Sequence, residues 1–135
     1  MVQTTLKELV EQADRRASRI IDDMKRAGIS REEFRFDVRE YTLAKFLLDP
    51  QEATGDDIFE LAEISIGKLL AMNDKSILLA VGSSTCTNQS STDIKKVLLS
   101  LALQQGMGVK LEPDESAACE TTQQLADILY DRRRG

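Results

Sequence analysis

The chain of 135 residues has no histidine, no tryptophan and only two cysteines. Without histidine there is no Ser-His-Asp or Cys-His catalysis and no imidazole-ligated metal centre. Cys86 and Cys119 are too few for a four-thiolate zinc site, and no CxxC motif exists. Long hydrophobic runs are also missing, since no segment reaches the ~18–20 apolar residues of a membrane span. The opening residues Met1-Val2-Gln3-Thr4-Thr5 lack the basic-then-apolar pattern of a signal peptide. The expectation is therefore a cytoplasmic, reduced protein. Positive charge is in short supply, with 18 Lys+Arg against 23 Asp+Glu, a net charge of −5 and a pI near 4.8. Such a chain is a poor match for nucleic acid, whose phosphates demand a cationic face. Ordinary enzymology loses ground before any motif is read.

What the chain does have is an apolar share of 41% and strong helical periodicity. Leu6, Val10, Ala13, Ala17, Ile20 and Met24 recur at steps of four and three, which predicts a helix over 5–27. Thr5 with Glu8 opens it as a capping box and Gly28 stops it. That stripe serves either packing within the domain or pairing with another chain. Ser30 and Glu33 form a second capping box, before Phe34, Val38, Tyr41, Ala44, Leu47 and Leu48. The second helix is expected to stop at Asp49-Pro50. Only Gly28-Ile29-Ser30 separates the two, so an antiparallel hairpin over 1–49 is expected. Phe34, Phe36 and Tyr41 read as core anchors.

Residues 50–56 are polar and turn-rich and mark a linker. A third helix is predicted over 57–72, and Ser76–Val81 is an apolar run that reads as a strand or a buried turn. Gly82–Thr92 is small, polar and nearly uncharged, as an exposed loop would be. Asp93–Gln105 is the most apolar helix, ended by Gly106-Met107-Gly108. Val109–Glu112 reads as extended, Pro113-Asp114-Glu115 as a turn, and Thr121 or Thr122 as the cap of a last helix. Arg132-Arg133-Arg134 at its end complements the helix dipole better than it makes a nucleic-acid patch.

Catalytic candidates are thin. The hydroxyl-rich loop has no Gly-x-x-x-x-Gly-Lys cradle, and a nucleophilic serine there could turn only to Lys95 or Lys96 as base, without a supporting motif. Cys86 has no basic neighbour to lower its pKa. The carboxylate pairs Asp22-Asp23, Glu32-Glu33, Asp56-Asp57 and Asp114-Glu115 are adjacent in sequence and diverge on a helix. No catalytic or metal-binding residue is assigned.

Residues 57–135 resemble an acyl carrier protein. The likeness rests on the order of elements and on Pro113-Asp114-Glu115 followed by Thr121-Thr122. Ile94-x-x-Val97 and Ala102-Leu103 fall where that family's second helix has its apolar positions. The resemblance implies an all-α fold, a helical hairpin followed by a carrier-like four-helix bundle. In the family, Asp-Ser-Leu opens the second helix, and its serine carries 4'-phosphopantetheine. The equivalent triplet here is Thr92-Asp93-Ile94, and a carboxylate at Asp93 cannot form the phosphodiester. A frame shifted by two residues puts Ser91 there instead and moves the apolar positions out of phase. The family's second helix is also acidic, whereas this one has Lys95 and Lys96 and no acid between Asp93 and Glu112, the wrong sign for the usual partner enzymes.

The sequence thus points to a non-enzymatic, carrier-like protein without cofactor, acting through a protein partner or as a homo-oligomer. The contact face is the N-terminal helix or the helix over 93–105, with Ile94, Lys95, Lys96, Val97, Leu98 and Leu101. Leu98, Leu99 and Leu101 nearly encircle that helix with Val97 and Ile94, so the hairpin or another chain is expected to cover it. The alternatives are a functional carrier modified at Ser91 and a small helical subunit of a larger assembly, with Arg132 to Arg134 along nucleic acid as one version.

Overall fold

Ser30 shows how local chemistry sets the path of the chain. Its Oγ accepts from the Glu33 backbone N–H at 3.1 Å, and the Glu33 carboxylate accepts from the Ser30 N–H at 3.1 Å. This capping box starts helix α2 (Arg31–Lys45). The computed structural model describes residues 6–71 and 88–133. Besides α2, these form α1 (Leu6–Met24), α3 (Ile58–Ala71), α4 (Asn88–Met107), α5 (Pro113–Ala118) and α6 (Thr122–Arg133). The protein is mainly helical, and no strand occurs among the described residues. The apolar run 76–81 lies outside them. Val109–Glu112, expected to be extended, pairs with no strand. Its donors are taken locally instead, Val109 N–H by the Gln104 carbonyl and Leu111 N–H by the Gln104 side chain. One isolated antiparallel bridge joins Asp57 and Thr121.

Two helix ends differ from expectation. α2 stops at Lys45, not at Asp49-Pro50. Leu48 N–H reaches back to the Leu43 carbonyl and Leu47 N–H to that of Ala44, the pattern of a Schellman turn. Its left-handed position, φ +58°, is held by Leu47 where glycine is usual. Leu47 packs there on Ile66 and Leu69 of α3. α4 begins at Asn88, so the stretch expected as loop through Thr92 is helical from 88 onward. Thr92 is 2% exposed and extends the buried face of α4 by a turn.

α1 and α2 form the antiparallel hairpin, tied by Arg16–Glu40, by Arg26–Glu33 at 3.0 Å and by Lys45–Asp14 at 3.9 Å. The other side of α2 packs on α6. There Arg35 donates to both Asp127 oxygens at 2.8 and 3.0 Å, and Arg31 adds a bond at 3.1 Å. Phe34 meets Tyr130 edge-on at 5.3 Å, and Arg133 lies over both rings. α3 packs on α4, which also touches α1, α5 and α6. One core joins the hairpin to the rest, with Met24, Phe34 and Leu43 meeting Ile58, Leu61, Leu99, Leu103, Leu125 and Leu129. The polar 50–56 stretch is itself fastened. Ala53 is buried, Arg39 donates to the Ala53 and Gly55 carbonyls, and Thr122 N–H donates to that of Asp56.

Candidate functional site

Helix α4 has two faces of opposite character. Leu99 and Leu103 are 2% and 0% exposed in the core, but Ile94, Val97, Leu98 and Leu101 are 46%, 55%, 57% and 46% exposed. The exposed four stand at i, i+3, i+4 and i+7, which places them in one stripe along the helix. Of the two covers expected for this face, the hairpin or another chain, the hairpin is not seated on it. α1 reaches α4 at its far end, where Ile21 lies against Gly106. A Cβ on residue 106 would sit 2.7 Å from the Ile21 Cδ1, so the glycine permits this close approach.

Beside the stripe, a groove of about 490 Å³ runs between α4 and α5. Val97 and Leu101 form one wall, and Leu111, Pro113 and Ala117 form the other. The polar groups beneath are paired among themselves. Gln104 accepts from Leu111 N–H at 2.9 Å and donates to Ser100 Oγ at 3.0 Å, and Ser116 Oγ donates to the same hydroxyl at 2.5 Å. Such pairing leaves a mostly apolar trough, of the kind that holds an apolar guest. Asp93 and Lys96 stand at its rim, and Lys96 Nζ donates to the Ala117 carbonyl at 3.2 Å.

The remaining candidate residues are placed as follows. Asp93 is the sixth residue of α4, in its second turn rather than at its head, and its side chain is exposed. Ser91 is the fourth, in the first turn. Lys95 does not belong to the contact face. Its ammonium sits 5.3 Å over the Phe46 ring, and burial lowers its pKa. Cys86 lies outside the described residues. Cys119 is a buried free thiol donating to the Glu115 carbonyl, and burial raises its pKa, the opposite of nucleophile activation. Arg132 donates to Glu115 and to the Lys110 carbonyl, and Arg133 covers aromatic rings, so neither stands as part of a free cationic patch. No metal-sized group of His, Cys, Asp and Glu occurs among the described residues, and no described helix is long and apolar enough to cross a membrane.

No protein-family model, curated protein or solved structure matches the chain.

One pair of groups escaped the sequence reading. Asp37 of α2 is 8% exposed, its Oδ2 has no partner, and it is hydrogen-bonded to Asp23 of α1. Burial, and then the Asp23 carboxylate, push the Asp37 carboxyl up to about 7. Asp23 moves the other way, lowered first by its bond with Asp37 and then by Arg26. Below about pH 7 Asp37 keeps its proton and is the donor toward the ionised Asp23 across the hairpin. Sequence neighbours were the wrong place to look for a carboxyl pair, because positions 23 and 37 meet only once the hairpin closes.

Proposed function

We propose that this chain is a non-enzymatic helical binding protein, carrier-like in its second half, that docks another polypeptide on α4 and the adjoining groove. One observation carries the reading. Ile94, Val97, Leu98 and Leu101 stand about half exposed in one stripe beside an apolar trough, on a helix whose other face is core. Contiguous exposed apolar surface of this kind marks an interaction site. The spacing i, i+3, i+4, i+7 is how one amphipathic helix reads another. Catalysis gains no comparable support. The Cys119 thiol is buried with a raised pKa, and the Asp23–Asp37 pair belongs to the hairpin contact rather than to the groove.

The test is a fluorescein-labelled amphipathic helical peptide with leucines at that spacing, followed by anisotropy at low micromolar protein. Saturable binding is expected, weakened about tenfold or more by Leu98→Glu, as loss of a central anchor predicts. No binding, or binding indifferent to Leu98→Glu, refutes the reading. The second reading is a carrier modified at Ser91, favoured by the place of that residue in the first turn of α4. Intact mass after incubation with a phosphopantetheinyl transferase and coenzyme A decides it. A gain of the prosthetic-group mass, abolished by Ser91→Ala, would install the carrier reading in place of ours.

A further inference from the structure

Base stands opposite acid along most of the α1–α2 seam, at Arg26–Glu33, Arg16–Glu40 and Lys45–Asp14. One place breaks the pattern. Asp23 lies three residues before Arg26 and Asp37 four residues after Glu33, so each shares a helix face with its neighbour. In the antiparallel register that Arg26–Glu33 sets, the two acids come face to face. They differ in surroundings. Asp23 stands exposed at the edge of the seam, whereas Asp37 is buried and its Oδ2 has no hydrogen-bond partner.

A carboxylate buried this far needs a cation or donors beside it, and the elements around Asp37 supply little. From α1 and the turn after it come Asp23 and Arg26, and from its own helix Glu33. Arg26 is already engaged, with Glu33 at 3.0 Å and with Asp23 at 3.3 Å. α6 reaches this end through Arg133, which donates to the Arg26 carbonyl at 3.4 Å and lies over Phe34 and Tyr130. α4 meets this stretch of α1 at Gly106, which has no charge. With its proton, Asp37 joins the helices by donating to Asp23. Without it, two carboxylates oppose each other and the helices repel at this end.

We propose that Asp23 and Asp37 form a pH-sensitive clasp on the hairpin, closed while Asp37 is protonated and open once both acids are ionised. The clasp lies beside Met24, which is fully buried, and close to Ile21, which rests on Gly106 of α4. Opening frees the last turns of α1 and the turn to α2, a local event short of unfolding the chain. The far end of the hairpin stays tied by Arg16–Glu40 and Lys45–Asp14, where base meets acid. The change falls near neutral pH, because Asp37 holds its proton up to about 7.

Hydrogen exchange read by mass spectrometry at pH 6 and pH 8, with the intrinsic base catalysis divided out, tests the clasp. Amides of residues 19–24 and 34–38 are expected to exchange about three- to tenfold faster at pH 8. They are expected to run ahead of the α3 amides at both pH values, as a local opening requires. In Asp37→Asn the acceleration is expected to vanish, because the amide still donates to Asp23 at pH 8. Asp23→Asn changes an exposed side chain, removes the opposing carboxylate and is expected to shrink the acceleration. An acceleration below about twofold in the wild type overturns the proposal, as does one that persists in Asp37→Asn. Hairpin amides that exchange at the α3 rate at both pH values report unfolding of the whole chain alone and overturn it too. An undiminished acceleration in Asp23→Asn overturns it however well Asp37→Asn folds.

Discussion

Replacing Asp37 with Asn isolates the one buried carboxyl of the hairpin. In the folded chain its pKa is about 7 against an ordinary value of 3.8. A pKa raised by folding means that the folded state holds the proton more tightly. The stability this gives is full below the unfolded value and is lost as pH rises through about 7. A shift of about three units corresponds to roughly 4 kcal/mol at most. The opposite shift at Asp23, and water reaching the carboxylate once it ionises, reduce this to about 2 kcal/mol. Asn keeps a donor toward Asp23 and cannot ionise. Asp37→Asn is therefore expected to stabilise the chain at pH 8 by about 2 kcal/mol, or roughly 6–10 °C in Tm, and at pH 5 by only about a third of that, because the loss in the wild type begins above 3.8 and is complete near 7. Urea and thermal melts of both proteins at the two pH values provide the measurement. The depressed carboxylates Glu33, Glu52, Glu115 and Asp127 titrate below this window and cancel in the comparison. An Asn variant no more stable than wild type at pH 8, or equally stabilised at both pH values, refutes the argument for a protonated Asp37.

The two faces of α4 are expected to separate in mutagenesis. Leu103→Ala, which empties a site with 0% exposure, should cost about 2–5 kcal/mol in urea melts, whereas Leu98→Ala on the stripe should cost well under about 1 kcal/mol. Asp127→Ala removes both bonds of Arg35 to α6 and one of the two that Arg31 makes there, leaving Arg31 to Asp131, and should cost about 1–2 kcal/mol at pH 7. The Asp127 pKa is lowered chiefly by Arg35, so this gap should close as melts are taken to acid pH, below the unfolded value of 3.8.

Much of the fold was legible where local chemistry decides it. Ser30 with Glu33 announced a capping box, the 3.6-residue period of α1 announced a helix whose second half buries Ala17 and Met24, and Thr121 was readable as a cap, its Oγ1 accepting from Gln124 N–H. The end of α2 was not legible, because a leucine at the left-handed position of a Schellman turn carries none of the signal that glycine would. Nor was the start of α4, since Asn88–Ser91 has no apolar period to read and joins the helix only by continuing its backbone. The contact stripe was half legible. Composition marked α4 as apolar on nearly all sides, but only packing could tell which residues the core takes and which it leaves. Lys95 was misassigned for the same reason, as its long stem folds over Phe46 rather than toward the stripe.

The central claim, that the α4 stripe is a contact surface rather than part of the core, is tested most directly by hydroxyl-radical footprinting with and without the amphipathic peptide. Val97, Leu98 and Leu101 are expected to oxidise readily in the chain alone and to become protected as the peptide is added, while Leu99 and Leu103 stay protected throughout. Protection of Leu98 and Leu101 in the chain alone would show that the chain covers this face by itself and would contradict the account.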